Sequence, residues 1–340
     1  MIPVNVVTGF LGSGKTTLLK EVLSRPEFSD TAVIVNEFGE VGLDHILLEE
    51  VSEGVLLLDS GCLCCTIRSD LQETIRELYD RAKRGEIPEF RRVVVETTGL
   101  ADPTPVVSTI VAEPVISKHF RTGNIICTVE ALAGTDTLAR HPEAIKQVAV
   151  ADRILVTKCD LADTSQIETL EDNVDKINPT AATSRGSGEG FDADALFALD
   201  LDDDVSRQEE VSRWLDAEVH DHDHEHDHHH DGIDHIEIGD TGSFVLRYDL
   251  PIDWTAFGVW LTALLHAHGE RVLRVKGILN VAESDRPVVI NGVQHVVHPP
   301  LHLRQWPTED HTSRIVFITQ GISEARIRNS LSLFLSAVAA

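Results

Sequence analysis

The sequence predicts an α/β protein: a mostly parallel sheet with helices on both faces, followed by a smaller α+β domain. Three observations carry this expectation. Short β-branched runs alternate with amphipathic segments through the first half of the chain, the pattern of strand–helix–strand units. Several of these runs are apolar almost throughout, as strands covered on both faces are. The alternation then stops in an acidic, histidine-rich stretch and gives way to a second, shorter group of elements. A length of 340 residues is also more than one hydrophobic core comfortably serves and points to two domains.

Taken in order, strands are expected over 4–8, 31–35, 55–58, 92–95, 124–129 and 153–156, with helices over 16–23, 70–84 and 167–177. From about 200 to 240 the pattern is lost, and 220–230 reads HDHDHEHDHHH. Low-complexity sequence of this kind has too little apolar surface to order itself. Beyond it, a strand is expected over 243–248 and a helix over 254–266. Strands over 271–278, 288–291, 294–297 and 315–319 and a closing helix over 323–335 complete the small α+β domain. The expected domains are therefore 1–199 and 242–340, joined by a disordered linker over 200–241.

Composition narrows the function classes. Apolar residues make up 42% and charged residues 25% of the chain, ordinary for a globular protein. The net charge is −27, and the stretch from 189 to 240 holds 19 acidic against 2 basic residues. So strong an acidity makes the chain a poor partner for a phosphate backbone, and no nucleic-acid role is expected. No apolar run is long enough to span a membrane. The N-terminus has no charged n-region or cleavage site, so no secretory signal is expected. Of five cysteines, Cys62, Cys64 and Cys65 lie too close together for a disulfide framework. Free thiols so arranged fit a reducing, cytoplasmic location.

The residues from Gly9 to Thr16 match G-x-x-x-x-G-K-[ST] at every fixed position, between an expected strand and an expected helix. Gly9, Gly12 and Gly14 let backbone N–H groups turn inward around phosphate oxygens. Ser13 lies within the loop and Thr17 just after it. Lys15 should reach the β- and γ-phosphates, and the Thr16 hydroxyl should ligate Mg²⁺. The run 93–95 is an apolar strand ending in Glu96, the layout of an acid near that Mg²⁺. Gly99 follows and can offer a backbone N–H to a γ-phosphate. After the strand at 153–156 comes Thr157-Lys158-Cys159-Asp160, similar to a guanine-reading N-K-x-D box with Thr in place of Asn. The Asp160 carboxylate can accept from guanine N1–H and N2–H₂, a donor pair adenine lacks, and the Lys158 stem can cover the base. That disfavours an ATP-driven P-loop kinase. The segment 36–40 sits where a switch loop would follow a strand.

Adjacent Cys64 and Cys65 cannot both face one core, so packing does not explain the cluster with Cys62. Thiolates at this spacing suit a soft or borderline divalent ion, with Zn²⁺ ahead of Co²⁺ on affinity. Glu37, His45 and Glu96 are candidates to complete the shell; a redox pair or incidental cysteines are the alternative. Cys127 reads as core, and Cys159 as part of the base-reading loop. In the run at 220–230, His220, His222, His224, His226, His228, His229 and His230 alternate with carboxylates and would bind metal loosely. The alternative there is a solvated spacer between domains.

GFLGSGKTT at 9–17, VNEFGEVGLD at 35–44, GCLCC at 61–65, ETTGLADP at 96–103, the T-K-x-D box and RVLRVKGIL at 271–279 occur in one order. In these motifs the chain resembles the CobW-type metallochaperone P-loop GTPases over nearly its whole length. The resemblance implies a P-loop GTPase domain, a CobW-type C-terminal domain, and binding of Mg-GTP together with a transition metal. It implies that Cys62, Cys64 and Cys65 are the metal ligands. Glu37 becomes the switch glutamate and Glu96 the Walker B glutamate, acting with Lys15 and Thr16. Slow GTP hydrolysis would then release the metal to a client metalloprotein or metal-insertion complex, and a GTP-linked homodimer is common in the class. A nickel-insertion GTPase would share the phosphate loop and the histidine run, but not the G-C-x-C-C cluster or the C-terminal domain. A non-enzymatic metal store would use the histidine run alone.

Overall fold

A computed structural model describes residues 1–35, 56–59, 67–186, 192–197, 211, 240–282 and 284–338. Contacts group the chain into two compact units, Met1–Glu171 with Ala182–Leu199, and Asp172–Ala181 with Asp200–Ala340.

The first unit is built on a seven-stranded sheet. Its strands are β1 (Ile2–Gly9), β2 (Thr31–Val35), β3 (Leu56–Asp59), β4 (Arg92–Glu96), β5 (Phe120–Glu130), β6 (Arg153–Thr157) and β7 (Ala182–Gly186). They lie in the order β3-β2-β4-β1-β5-β6-β7, and every pairing is parallel. Val4 to Gly9 of β1 and all of β6 are buried, which requires cover on both faces and explains their unbroken apolar runs. The helices are α1 (Lys15–Leu23), α2 (Ile67–Lys83), α3 (Thr104–Ala112), α4 (Ile116–His119), α5 (Gly134–Arg140), α6 (Pro142–Val150), α7 (Thr164–Ile177) and α8 (Ala193–Phe197), the division between the units falling within α7, after Glu171. Leu18, Leu19 and Val22 of α1 pack with Leu196 and Phe197 of α8 on Val7, Val33, Val94, Ile126 and Leu155 of the sheet. α3 and α6 lie against β1 and β5.

The expected parallel sheet is thus observed, with more elements than the sequence indicates. β7 is mostly exposed and carries no apolar alternation, so nothing in it reads as a strand. The segment 104–112 is rich in β-branched residues yet helical. β4 and β5 are parallel and flank β1, so the chain between them must cross over the sheet, which favours a helix. β5 also begins four residues earlier than expected, with a register irregularity opposite Val4–Val6. Asn5 Oδ1 there accepts from Asn124 N at 2.9 Å, and Asn124 Nδ2 donates to Leu196 O at 3.0 Å.

The second unit contains β8 (Thr241–Tyr248), α9 (Trp254–His268), β9 (Val272–Leu279), β10 (Val288–Val293), β11 (Val296–Val297), β12 (Leu301–His302), β13 (Ser313–Gln320) and α10 (Glu324–Val338). The antiparallel order is β11-β10-β9-β13-β8, with β12 also on β10. Phe257, Trp260 and Leu261 of α9 and Ile327 and Leu331 of α10 share one core with Val275, Leu279, Ile315 and Phe317. Trp260 Nε1 donates to Ser330 Oγ at 3.0 Å. The strand expected over 294–297 is shorter: Gln294 adopts φ 50°, the left-handed geometry that a two-residue hairpin turn demands.

Candidate functional site

In a parallel sheet all the strand C-termini open on one edge. The register sets Val7 of β1 and Val35 of β2 level with Glu96 of β4, and Thr157 ends β6 on the same edge. The loops after these strands hold the sequence-predicted nucleotide residues.

β1 ends at Gly9, and the loop closes at Gly14, the N-cap of α1, with φ 93°. A side chain there would be strained, so only glycine starts this helix easily. α1 then aims its N-terminus, with its partial positive charge, into the loop. Lys15 is buried and its Nζ donates to Gly9 O at 2.8 Å and Phe10 O at 3.1 Å. Ser13 Oγ lies 2.7 Å from Thr128 Oγ1, and Thr157 Oγ1 donates to Ser13 O at 2.8 Å. Gly12 lies on the loop, and Thr17 is exposed on α1.

Thr16 Oγ1 donates to Glu96 Oε1 at 2.7 Å. Glu96 is only 5% exposed. A hydroxyl beside a buried carboxylate is an oxygen-only donor pair of the kind a hard cation such as Mg²⁺ selects. Beyond Glu96, Thr97 Oγ1 donates to Thr8 Oγ1 at 2.9 Å, tying the end of β4 to β1. Gly99 approaches the phosphate loop so closely that a Cβ would stand 2.7 Å from Leu11 N.

On the other side of the loop Lys158 takes a left-handed φ of 55° and its Nζ pairs with Glu130 Oε1 at 3.0 Å. Asp160 follows in a short 3-10 turn with an exposed side chain. Burial pushes the Cys127 thiol up to about 12. Desolvation also raises Cys159, whose Sγ donates to Val156 O at 3.3 Å. Neither thiol supplies a thiolate near neutral pH, in keeping with their reading as core and loop residues.

Lys15, Thr16, Glu96, Gly99, Thr157, Lys158 and Asp160 are therefore gathered on one sheet edge. Glu37, His45, Cys62, Cys64, Cys65 and the histidines at 220, 222, 224, 226, 228, 229 and 230 lie outside the described residues. Among the described residues no group of three or more His, Cys, Asp or Glu could hold a metal ion. Two partners of the site carry no motif. Thr128 holds Ser13, and Gln147 of α6 donates to Gly99 O and Ala101 O. For Gln147 the only sequence signal is an amide set within the apolar run AIKQVAV.

The chain is similar to known proteins over nearly its whole length. Residues 3–185 match the CobW/HypB/UreG nucleotide-binding domain, and 241–335 match the cobalamin synthesis protein CobW C-terminal domain. The chain is 30% identical to the zinc chaperone YjiA of Escherichia coli, over 96% of each protein. It is 30% identical to the zinc chaperone CobW of Pseudomonas aeruginosa, over 97% of this chain and 90% of that one. The crystal structure of Zn(II)-bound YjiA GTPase from E. coli superposes with a TM-score of 0.73 and 27% identity, over 98% of both chains. Together with the phosphate-loop edge, these similarities show that the chain belongs to the CobW/HypB/UreG family and carries the CobW-type C-terminal domain.

Proposed function

We propose that this protein is a GTP-dependent metallochaperone that binds Zn²⁺ as cargo and releases it to a client metalloprotein when GTP is hydrolysed. The observation that carries the reading is the phosphate-loop edge, with Thr16 bonded to Glu96, in a chain similar along its length to zinc chaperones. In this reading Gly9, Gly12, Ser13, Gly14, Lys15, Thr16 and Thr17 hold the phosphates. Thr16 and Glu96 hold Mg²⁺, which when bound offsets phosphate charge. Lys158 and Asp160 take the guanine, and Thr157 supports the loop from beneath. Glu37 and Gly99 sense the γ-phosphate. Cys62, Cys64 and Cys65 are the Zn²⁺ ligands, with Co²⁺ the next best fit to thiolates. The domains are 1–199 and 242–340, joined by the linker 200–241. Hydrolysis is slow, since none of the sequence motifs supplies an arginine finger, and GTP-bound chains pair as homodimers. The C-terminal match separates this reading from nickel-insertion GTPases.

GTP ordering the loops around Glu37 and Gly99 would bring the thiols into ligand geometry, and linkage requires the metal to raise GTP affinity by the same factor. The test is competitive affinity for Zn²⁺, Co²⁺ and Ni²⁺ in protein lacking 220–230, with Mg²⁺ and a non-hydrolysable GTP analogue against Mg-GDP. A gain of about tenfold or more for Zn²⁺ with the analogue, lost in Cys64→Ser with Cys65→Ser, is the expected result. Equal metal affinity in the two nucleotide states would sink the proposal.

A further inference from the structure

Gln147 sits within α6 and is 1% exposed. Its Nε2 donates to Gly99 O at 3.1 Å and to Ala101 O at 3.0 Å. Its Oε1 has no partner among the described residues. Burying an amide with its acceptor unpaired is costly, so packing does not account for a glutamine here; the two donated bonds do. They close on a tight turn in which Ala101 N donates to Thr98 O at 3.1 Å. The neighbouring Lys146 Nζ stands 3.6 Å from Asp102 Oδ2. Just before α6, the His141 ring lies 4.4 Å from the ring of Phe10 in the phosphate loop. α6 and the residue that caps it therefore touch both the phosphate loop and the turn that carries Gly99.

A trans peptide points its C=O and N–H in opposite directions. With Gly99 O turned inward onto Gln147, the N–H of Leu100 points outward, on a residue 54% exposed. A flip of that peptide would aim a carbonyl oxygen outward instead. An N–H attracts a phosphate oxygen and a carbonyl repels it. We infer that Gln147 is a positioning residue for the terminal phosphate. It keeps the Gly99 and Ala101 carbonyls turned inward and so sets the preference for GTP over GDP. This inference rests on the nucleotide reading above.

The test is titration of full-length wild type and Gln147→Met with a non-hydrolysable GTP analogue and with GDP, both with Mg²⁺. Methionine keeps the length of the side chain and removes the donor. Affinity for the analogue is expected to fall about tenfold while GDP affinity stays within about twofold. GDP binding also reports that the variant is folded. Should Gln147→Met fail to fold, Gln147→Asn, which draws the amide back by one methylene, is expected to show the same loss of preference. An unchanged ratio of analogue to GDP affinity in a variant that binds GDP overturns the role of Gln147 and leaves the nucleotide site standing. Wild type that binds neither nucleotide overturns both.

Discussion

Thr157 stands where a base-reading box has Asn, and its hydroxyl goes to the phosphate loop, donating to Ser13 O at 2.8 Å. Thr157→Ala would leave that buried carbonyl without its bond, at about 1–3 kcal/mol. Because Ser13 belongs to the part of the loop that both nucleotides share, GTP and GDP affinity should fall by the same factor. Thermal unfolding of the first unit should drop by about 2–4 °C per kcal/mol, the range for a unit of about 190 residues. Paired nucleotide titrations check this, and a loss confined to GTP would contradict it. Cys127 makes a different point. Burial pushes its thiol from 9.0 up to about 12, so the folded chain holds it neutral while the unfolded chain ionises it. A raised value stabilises below the unfolded pKa, and that contribution is lost as pH climbs from about 9 to about 12. In the folded protein at pH 8, iodoacetamide should therefore leave Cys127 unmodified, and mass spectrometry of the tryptic peptides reads this directly.

At the scale of elements, the site is a meeting of loops whose positions the sheet dictates. A Cβ on Gly99 would lie 2.7 Å from Leu11 N and 2.8 Å from Leu11 Cα, and backbone cannot give way as a side-chain tip can. Gly99→Ala should displace the turn or the phosphate loop and weaken nucleotide binding about tenfold or more, GTP most of all. Global stability should change by about 1–3 kcal/mol, and denaturant melts beside titrations separate the two effects. In the second unit, the segment leading into β13 is held by Asp310, which accepts from Thr312 N at 2.9 Å and pairs with Arg314. Hydrogen bonds from Thr312 and then Arg314 hold its carboxyl down to about 2. A depressed value stabilises above the ordinary carboxylate range, near 3.9, and the contribution fades as pH falls toward 2. Asp310→Asn should flatten the acid limb of the stability curve by a modest amount, since the carboxylate is half-exposed and screened.

Elements covered on both faces, such as β1 and β6, were legible because their burial leaves unbroken apolar runs. β7 and α3 were not, because an exposed edge strand needs no apolar pattern and a crossover overrides β-branched propensity. The site divides in the same way. Gly9 to Thr16 and Glu96 are contiguous motifs and read directly from sequence, whereas Gln147 acts on carbonyls 48 and 46 residues away. No local pattern records such a pairing.

For the molecule as a whole, charge is the organising fact. Most of the net charge of −27 comes from the stretch between 189 and 240, which falls between the two family matches at 3–185 and 241–335. Imidazoles interleaved with carboxylates offer many interchangeable donor sets, so they favour capacity over selectivity. If Cys62, Cys64 and Cys65 hold the cargo as proposed, such a run in the same chain raises the local concentration of metal without changing the affinity of the thiols. Deleting 220–230 should therefore lower the number of Zn²⁺ ions retained at equilibrium and slow the loading of the thiols from dilute metal. The affinity gain on binding a GTP analogue, and the affinities for the nucleotides themselves, should stay within about twofold of wild type. Equilibrium dialysis gives the stoichiometry, and competition with a chromophoric chelator gives the affinity in each nucleotide state. Metal binding that vanished altogether with the deletion would mean that the histidines are the cargo site and the protein is a store. A gain that survives assigns selection and release to the GTPase unit and leaves the acidic stretch the task of supply.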